Sequence, residues 1–446
     1  MSVLLVAAIV AVAAVVVLYK QREGVVNSSA NSGLAGWDAR ADVGPIQLRT
    51  THFDQAPEGF SSGVELRRAA DEQRAWARAI ISLKDPTGFL RVGQGYRARV
   101  FVRDVTASGQ TVGLLLGNEN FEHRPTLEAR YVSLDDDQWH ELVLDFICTK
   151  PAAADTGIYL ALPTSGPINL HITGVSLQQS DLAVPPTVDG QASRVLDFSG
   201  AAGAAPDPTV WNHEVGGGGW GNNELQTHTA SRRNSALDGR GQLRITAREE
   251  DLTGPDGIPR KYTSARLTSK DKVEVPPGSY VEAPIIAPVG KGVWPAFWLL
   301  GSNIDEVGWP ACGELDILEV VGSNPGTVHN AIHTAAVDDP KKDMPYGNGD
   351  EGGGSTKLRM PVDSRSHRYG VYFDKDLIVF YIDQQPTLTY TAAAARASGR
   401  TWPFDKDQFI ILNVAVGGRE SPEGTPFPRV MQVGAISIWD GGVPFG

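Results

Sequence analysis

Cysteine is scarce in this sequence. The 446 residues contain only two, Cys148 and Cys312, and these fall in different candidate modules of the chain. A disulfide framework within one module is therefore excluded. Cys312 directly precedes an apolar stretch, where a small buried thiol is a better interpretation than a nucleophile.

Positive charge is also in short supply. Lys and Arg together number 40 against 52 Asp and Glu, which gives a formal net charge of −12. Such an acidic chain is poorly suited to bind nucleic acid, so we exclude a nucleic-acid partner. The same charge fits a secreted, soluble protein, although a need for solubility explains it equally well.

Long helical patterns are nearly missing, whereas Gly (49) and Pro (29) are plentiful. Short alternating apolar runs between turn residues predict an all-β chain. The length accommodates two or three domains. We predict a smaller β-sandwich over residues 36–180, a linker containing Pro and Gly over 181–194, and a larger β-domain over 195–446.

One hydrophobic run stands apart at the start of the chain. Val3 to Tyr19 is long enough to span a bilayer or to form the core of a signal peptide. No Lys or Arg precedes the run, whereas Lys20 and Arg22 follow it, so the positive-inside rule would leave the domains in the cytoplasm. We hypothesise that a basic segment lies upstream of the given start. With no Ala-x-Ala site after the run, we expect an uncleaved anchor at 1–19 and a stalk at 20–35.

The most informative stretch, Trp309 to Gly322, reads WPACGELDILEVVG. It places Glu314, Asp316 and Glu319 among residues that are typical of a buried strand. Burying such charge is costly unless the charge is paired or used. An edge strand with a polar outer face is the alternative, but the flanking apolar residues and the nearby Trp-rich segments disfavour it.

Strand geometry suggests what these acids do. Glu314 and Asp316 share one face of a strand, whereas Glu319 should point the other way. One extra residue in a β-bulge at Ile317-Leu318 returns Glu319 to the common face. The glutamate Cα atoms are then roughly 13 Å apart, and side chains leaning together approach the ~5–5.5 Å carboxyl separation of a retaining glycosidase. Asp316 would share a proton with the nucleophile, because like charges this close do not all ionise.

The motif Glu-x-Asp-x-x-Glu, preceded by WPACG and followed by VVG, resembles the catalytic strand of glycoside hydrolase family 16. It is most similar to the laminarinase, or endo-β-1,3-glucanase, branch. The resemblance runs from about Val195 to the C-terminus and implies a two-sheet β-sandwich jelly roll with a concave cleft. It also implies that Glu314 is the nucleophile, that Asp316 assists it and that Glu319 is the acid/base.

Other segments resemble the family where it contacts substrate. GGGGWGNNELQTHT looks like the edge of the cleft, YTSARLTSK carries an arginine that reaches it, and FDKDQFIILNVAVGG resembles a late strand that lines it. In GKGVWPAFWLLG, alternation puts two tryptophans on one face as a sugar platform, with core packing as the alternative. The substrate-binding residues implied are Trp220, Asn222, Arg266, Trp294, Trp298, His333 and Asn413.

Two histidines, His329 and His333, share a face of the strand VHNAIHT that follows the catalytic strand. Two histidines can ligate a metal, but no third ligand has suitable spacing, so no metal site is predicted. The resemblance instead places His333 beside the carboxylates, where it can hydrogen-bond the nucleophile. Family members often hold a structural calcium; Asp197 is present, but Gly434 stands where a second Asp is usual. The calcium site is incomplete, and no cofactor is predicted.

The segment from Trp37 to Gln179 has the alternation of a β-sandwich. The order of its strands is similar to that of jelly-roll carbohydrate-binding modules. Phe121, His123 and Tyr131 are its candidate sugar contacts, and a spacer that lifts the next domain from a membrane is an equal alternative. DEQRAWARAIISL within it is compatible with a short helix or a strand.

The resemblance implies retaining, endo-acting hydrolysis of a β-1,3 or mixed-linkage glucan by double displacement. The alternatives are a transglycosylase, or a hydrolase of another envelope glycan such as a galactan, and a non-catalytic β-glucan-binding protein, which the three acids disfavour. We expect a polysaccharide partner, a membrane contact through the N-terminal segment and a monomer. The expected location is extracellular or in the cell envelope.

Overall fold

The computed structural model describes residues 37–41, 46–57, 59–68, 77–92, 94–117, 129–148, 151–163, 166–180, 184–347, 355–358 and 360–445. The predicted anchor and stalk lie outside these ranges, as do Phe121, His123 and the side chain of Tyr131. Within the ranges, no helix has the length and apolar character needed to cross a membrane. The chain divides into two compact units between Val184 and Pro185, inside the predicted linker.

The first unit is built from ten strands among the residues described there. They are β1 (Trp37–Ala41), β2 (Gln47–His52), β3 (Ser62–Arg68), β4 (Ala77–Ser82), β5 (Gly95–Asp104), β6 (Gln110–Gly117), β7 (Ala129–Leu134), β8 (His140–Ile147), β9 (Gly157–Ala161) and β10 (Ile168–Gln179). One short helix, α1 (Pro86–Phe89), lies between β4 and β5 and is capped by the side chain of Asp85. The ambiguous segment therefore ends as a strand, β4.

Two five-stranded antiparallel sheets form this unit, in the orders β1-β4-β9-β6-β7 and β2-β3-β10-β5-β8. Alternation explains the arrangement, because every second residue of β5, including Tyr96, Ala98 and Val100, is buried in a common core. The residues between them point away from that core. The predicted β-sandwich is confirmed for the described part of the unit.

The second unit contains nineteen strands in its described residues. They are β11 (Arg194–Leu196), β12 (Asn212–His213), β13 (Gln226–His228), β14 (Ser235–Leu237), β15 (Leu243–Thr253), β16 (Pro259–Ser264), β17 (Arg266–Thr268), β18 (Glu274–Val275), β19 (Ser279–Ile286), β20 (Val293–Gly301), β21 (Glu314–Glu319), β22 (Thr327–His333), β23 (Ser355–Lys357), β24 (His367–Phe373), β25 (Leu377–Ile382), β26 (Gln385–Thr391), β27 (Gln408–Val416), β28 (Arg429–Val433) and β29 (Ile436–Asp440). Two short helices, α2 (Ile304–Val307) and α3 (Ala392–Ala397), interrupt them.

These strands form two sheets. One has eleven strands, with the path β13-β16-β15-β28-β19-β24-β25-β26 and with β11, β14 and β29 attached. The other has eight, with the path β12-β17-β27-β20-β21-β22-β23 and with β18 on β27. The inner faces enclose one apolar core to which both sheets contribute, as with Phe297 and Leu412 from one and Val281 and Phe380 from the other. The predicted all-β, two-sheet sandwich is confirmed.

Candidate active site

The motif Glu-x-Asp-x-x-Glu forms β21, which pairs with β20 on one side and β22 on the other. Ala296 pairs with Glu319 and Phe297 with Leu318, but the next residue, Trp298, pairs with Asp316. Ile317 is therefore the extra residue of a β-bulge. The predicted bulge is confirmed.

Because of the bulge, β21 contributes apolar side chains to the core and all three acids to the opposite face of the sheet. Leu315, Ile317 and Leu318 are buried in the core of the sandwich. Glu314, Asp316 and Glu319 lie on the opposite, outer face of the eight-stranded sheet, where the charges of the three carboxylates act on one another. We call this the active-site face. Asp316 and Glu319 are each only 5% exposed, so their charges are shielded from bulk water.

Burial shifts the titration of two of the acids. Burial and then the charge of Glu319 raise the pKa of Glu314, against the opposing charge of His333 and a hydrogen bond from Trp309. Burial and the charges of both glutamates raise the pKa of Asp316 well above its usual range. Both carboxyls therefore retain a proton more readily than an exposed acid does. Because like charges this close do not all ionise, the cluster keeps a proton beside a carboxylate.

His333 supplies the positive charge in this cluster. Its Nδ1 lies 2.8 Å from Asp343 Oδ2, and its Nε2 lies 3.5 Å from Asp316 Oδ2 and 3.9 Å from Glu314 Oε1. Burial opposes the charged imidazole, but the hydrogen bond with Asp343 and the charges of Asp316 and Glu314 raise the pKa of His333 to about 10. His333 is thus a cation near neutral pH. The expected hydrogen bond to the nucleophile is not formed; the ring's hydrogen bond goes to Asp343.

Trp309 makes the hydrogen bond to Glu314 instead. Its Nε1 donates to Glu314 Oε2 at 3.0 Å, and its ring lies against that of His333 with centroids 5.9 Å apart. Trp309 is 46% exposed, so its ring is open to solvent next to Glu314. Trp309 belongs to the stretch WPACGELDILEVVG, but no role was assigned to it from the sequence. A turn separates it from Glu314, so strand periodicity does not relate the two residues.

Glu319 has its own set of partners on the other side of the strand. Trp294 Nε1 donates to Glu319 Oε1 at 2.8 Å, and Arg419 Nη2 lies 3.4 Å from the same oxygen. The Arg419 guanidinium also lies over the Trp294 ring, 4.6 Å from its centroid. Trp294 is therefore oriented toward the acid as predicted for the active-site face. Arg419 was not predicted, although a cation just after the late strand β27 could have suggested it.

Arg266 lies between two tryptophans on the same face. Its guanidinium is 4.9 Å from the Trp220 ring and 4.8 Å from the Trp298 ring, and it forms an ion pair with Glu214. Trp298 Nε1 donates to Asn413 Oδ1 at 2.8 Å, because Asn413 and Trp298 stand on neighbouring strands. The predicted residues Trp220, Arg266, Trp298 and Asn413 thus form one connected group.

Asn222 is exposed. Its side-chain nitrogen lies 3.4 Å from Glu224 Oε1, at the edge of a buried polar group. Glu224 accepts from Gln226 at 2.5 Å, and burial raises the pKa of Glu224. Burial lowers the pKa of the adjacent His228 to about 3, so this imidazole is neutral. The loop of Gly and Asn residues before β13 therefore brings Trp220 beside the buried, uncharged His228, with ring centroids 5.4 Å apart.

Three residues in the described part of the chain are grouped closely enough to consider a metal. Ligand atoms of Glu314, Asp316 and His333 all lie within 4.8 Å of one another. A metal would have to displace the proton that the raised pKa of His333 holds on the imidazole.

Carboxyls brought together on one outer face of a two-sheet β-sandwich, with Trp and Arg side chains in contact with them, are the arrangement expected of a glycoside hydrolase. Comparison with known proteins identifies the family. The model for "Glycosyl hydrolases family 16" matches residues 222–430. "Beta-glucanase" of Rhodothermus marinus is 35% identical over 256 residues, which cover 55% of this chain and 82% of the relative.

Two further comparisons agree with this. "Glucan endo-1,3-beta-glucosidase" of Cryptopygus antarcticus is 36% identical over 231 residues, covering 50% of this chain and 81% of the relative. The solved structure of an endo-beta-1,3-glucanase from Pyrococcus furiosus is 35% identical with a TM-score of 0.50, covering 57% of this chain and 97% of that chain. The chain belongs to glycosyl hydrolase family 16.

Proposed function

We propose that the protein is an endo-acting glycoside hydrolase that cleaves β-1,3 bonds within a glucan and retains the configuration at the anomeric carbon. The observation that carries the proposal is the bulge at Ile317, which brings Glu314, Asp316 and Glu319 to one face. The activities of the relatives, a beta-glucanase and two endo-1,3-β-glucan hydrolases, support a β-1,3-glucan as the substrate.

In the first step, the Glu314 carboxylate attacks the anomeric carbon of the bound sugar. The bond from that carbon to the leaving oxygen breaks, and Glu319 donates its proton to this oxygen. The products are a glycosyl ester on Glu314 and the released half of the glucan. Trp309, which donates to Glu314 Oε2, leaves Oε1 as the oxygen that attacks.

In the second step, the Glu319 carboxylate takes a proton from water while the water oxygen attacks the same carbon. The ester bond breaks, Glu314 leaves as a carboxylate, and Glu319 has regained its proton. Two displacements at one carbon give net retention. Trp294 and Arg419, which contact Glu319 Oε1, hold the carboxyl group of Glu319 in position for both steps.

Sugar binding extends to both sides of β21. The sheet order places β20, β27 and β17 on one side, with Trp298, Asn413 and Arg266, and β22 on the other, with His333. A glucan lying across the strands would meet Trp and Arg planes before the nucleophile and the Trp309 ring after it. Aromatic planes of this kind stack on the apolar faces of pyranose rings.

The test uses the full chain and its Glu314→Gln variant on laminarin, mixed-linkage β-glucan, agarose and galactan. We expect reducing ends to be released from laminarin and the variant to lose this activity. Activity on galactan or agarose alone would contradict the substrate, and oligomers longer than the donor would identify a transglycosylase. Binding without any hydrolysis would contradict the enzyme assignment.

We further propose that the protein works as a monomer outside the cytoplasm, in the cell envelope or beyond, and that residues 3–19 tether it. The hydrophobic run and the polymeric nature of the substrate support this location. Protease treatment of intact producer cells should degrade the catalytic unit, and light scattering should give the mass of one chain. Protection from protease in intact cells would contradict the location.

A further inference from the structure

The sheet β2-β3-β10-β5-β8 of the first unit carries aromatic side chains on its outer face. Phe101 points outward from β5, between the core residues Val100 and Val102. Phe53 and Trp139 meet edge to face with centroids 5.0 Å apart, and Phe53 also lies 4.9 Å from the His171 ring. These rings lie outside the main core cluster of the described sandwich, and Phe53 and Phe101 are themselves buried, at 7% and 9% exposed. Trp139 is only half-buried, so part of its ring remains at the surface.

The loop after β2 is fixed over this face by hydrogen bonds. The Phe53 amide donates to the Ser61 carbonyl at 2.9 Å, and Trp139 Nε1 donates to the Gln55 carbonyl at 2.6 Å. Thr173 Oγ1, buried beneath the loop, donates to the Ser62 carbonyl at 2.7 Å. The loop and the start of β8 are therefore joined through the Trp139 indole, whose ring forms part of the surface between them.

A pocket of about 380 Å³ lies between this loop and the turn before β8. This volume falls in the range of small-molecule sites, and the lining combines rings with amide and charged groups. Its main lining residues are Gln55, Pro57, Phe101, Arg103, Gln138 and Trp139. Rings for stacking and planar polar groups for hydroxyls are what recognition of a pyranose requires.

The charges on this face favour a neutral ligand over an anionic one. Each arginine of the face contacts a carboxylate. The pairs are Arg49 and Arg67 with Glu65, Arg97 with Asp145, Arg99 with Glu141, and Arg103 with Asp137. Cations that are already paired attract a polyanion weakly. The ring of His171 adds no charge, because burial and the nearby arginines Arg103, Arg67 and Arg49 lower its pKa.

We propose that this pocket is a second, non-catalytic binding site for the neutral β-glucan that the catalytic unit hydrolyses. The identity of the ligand rests on the proposed function; the presence of a neutral-sugar site does not. A second site on the same chain holds the polymer near the enzyme and raises its effective concentration without adding to catalysis. Trp139 supplies the stacking plane, and Gln138 and Arg103 supply hydrogen bonds.

The experiment measures retention of the full chain on an insoluble β-1,3-glucan. All proteins carry Glu314→Gln so that the polymer is not consumed, and the catalytic site contributes equally to each. Trp139→Ala and Gln138→Ala are compared with Gln179→Ala, an exposed glutamine at the end of β10 away from the pocket. Insoluble neutral and sulfated glycans serve as further probes.

We expect Trp139→Ala to weaken retention by about fivefold to tenfold, Gln138→Ala to weaken it less, and Gln179→Ala to leave it unchanged. Trp139→Ala also removes the hydrogen bond to the Gln55 carbonyl and can loosen the loop. Gln138 is exposed, so Gln138→Ala tests the site without that effect on the loop. Equal retention of all three chains, or preference for the sulfated glycan, would overturn the proposal. Hydrolysis of soluble laminarin by the chain with Glu314 intact is measured in parallel and reports on the proposed function separately.

Discussion

The two sheets of the catalytic unit each carry a buried acid on the outer face, and they neutralise it differently. Glu282 on β19 is 2% exposed and accepts from Arg368 at 2.5 Å and from the Tyr280 hydroxyl at 2.9 Å. Glu314 and Asp316 on β21 share one cation, His333, and repel each other. An acid with its own cation is a structural group, whereas acids that share one retain protons that can be moved.

Exchanging each acid for its amide should separate the two roles most clearly. Glu314→Gln removes the nucleophile, so we expect kcat to fall by about 10⁴-fold or more while the protein stays folded. Glu282→Gln leaves Arg368 without its partner, so we expect ordinary kcat and a loss of about 1–2 kcal/mol, because Arg368 is half exposed. Steady-state rates and thermal unfolding measure the two. A fall in kcat for Glu282→Gln would contradict the purely structural role of Glu282.

Glu319 should give a smaller and reparable loss. Without the acid/base, we expect Glu319→Ala to lose about 10²–10⁴-fold in kcat. Added azide should restore turnover by attacking the glycosyl ester of Glu314 from the side of the departed sugar, which yields a β-glycosyl azide. The matched Glu314→Ala variant should instead yield the α-glycosyl azide by direct displacement. Product NMR distinguishes these outcomes, and the reverse pattern would exchange the two roles.

Removing the shared cation should move the pH profile. His333 stabilises the charged forms of Glu314 and Asp316, so His333→Gln should raise the pKa of the nucleophile. We expect the acid limb of kcat/KM to move to higher pH, with about a 10–100-fold loss near neutrality. The matched control is His367→Gln, which breaks a His–Asp pair of 2.7 Å in the eleven-stranded sheet. An equal shift in both variants would contradict the role of His333.

Asp343 should control the stability that depends on this proton. The pKa of His333 rises from 6.5 to about 10 in the folded protein. Its contribution to stability is therefore complete below pH 6.5 and is lost as the pH rises through about 10. Asp343→Asn removes the main favourable contact, so we expect a lower Tm near neutrality and a flatter decline toward pH 10. Parallel Tm curves for the two proteins would contradict this linkage.

The smallest effect should come from Trp309. Trp309→Phe keeps the ring against His333 but loses the hydrogen bond to Glu314. Because the indole is partly exposed, we expect a loss of about threefold to tenfold in kcat. The acid limb of the pH profile of kcat/KM should move slightly to higher pH. Trp309→Ala should lose more, since it also removes the ring. Identical kinetics for Trp309→Phe and the wild type would contradict a role for the Trp309 hydrogen bond in the reaction.

The sequence predicted the parts of the site that depend on strand periodicity. Alternation placed Trp294 and Trp298 on the active-site face, and the misfit of Glu319 with that alternation predicted a bulge at Ile317-Leu318, which the structure places at Ile317. The local sequence pattern is enough to assign these side chains to a face, because side chains alternate between the two faces of a strand with a fixed period of two. The same reasoning recovered the all-β class and both sandwiches in the described residues.

Partners from loops could not be found in this way. Asp343 follows β22 by ten residues, and its pairing with His333 depends on the backbone bridge between Ala335 and Asp343. Arg419 follows β27 and reaches Glu319 across 100 residues of chain. Contacts of such long range follow from the packed sheet and leave no local periodic signal.

The most direct test of the central claim is the anomeric form of the first product. Proton NMR during early hydrolysis of laminarin, before mutarotation, records whether the new reducing end is α or β. Double displacement by Glu314 and Glu319 predicts the β-anomer. The α-anomer would show a single displacement by water, which would contradict the assignment of Glu314 as a nucleophile.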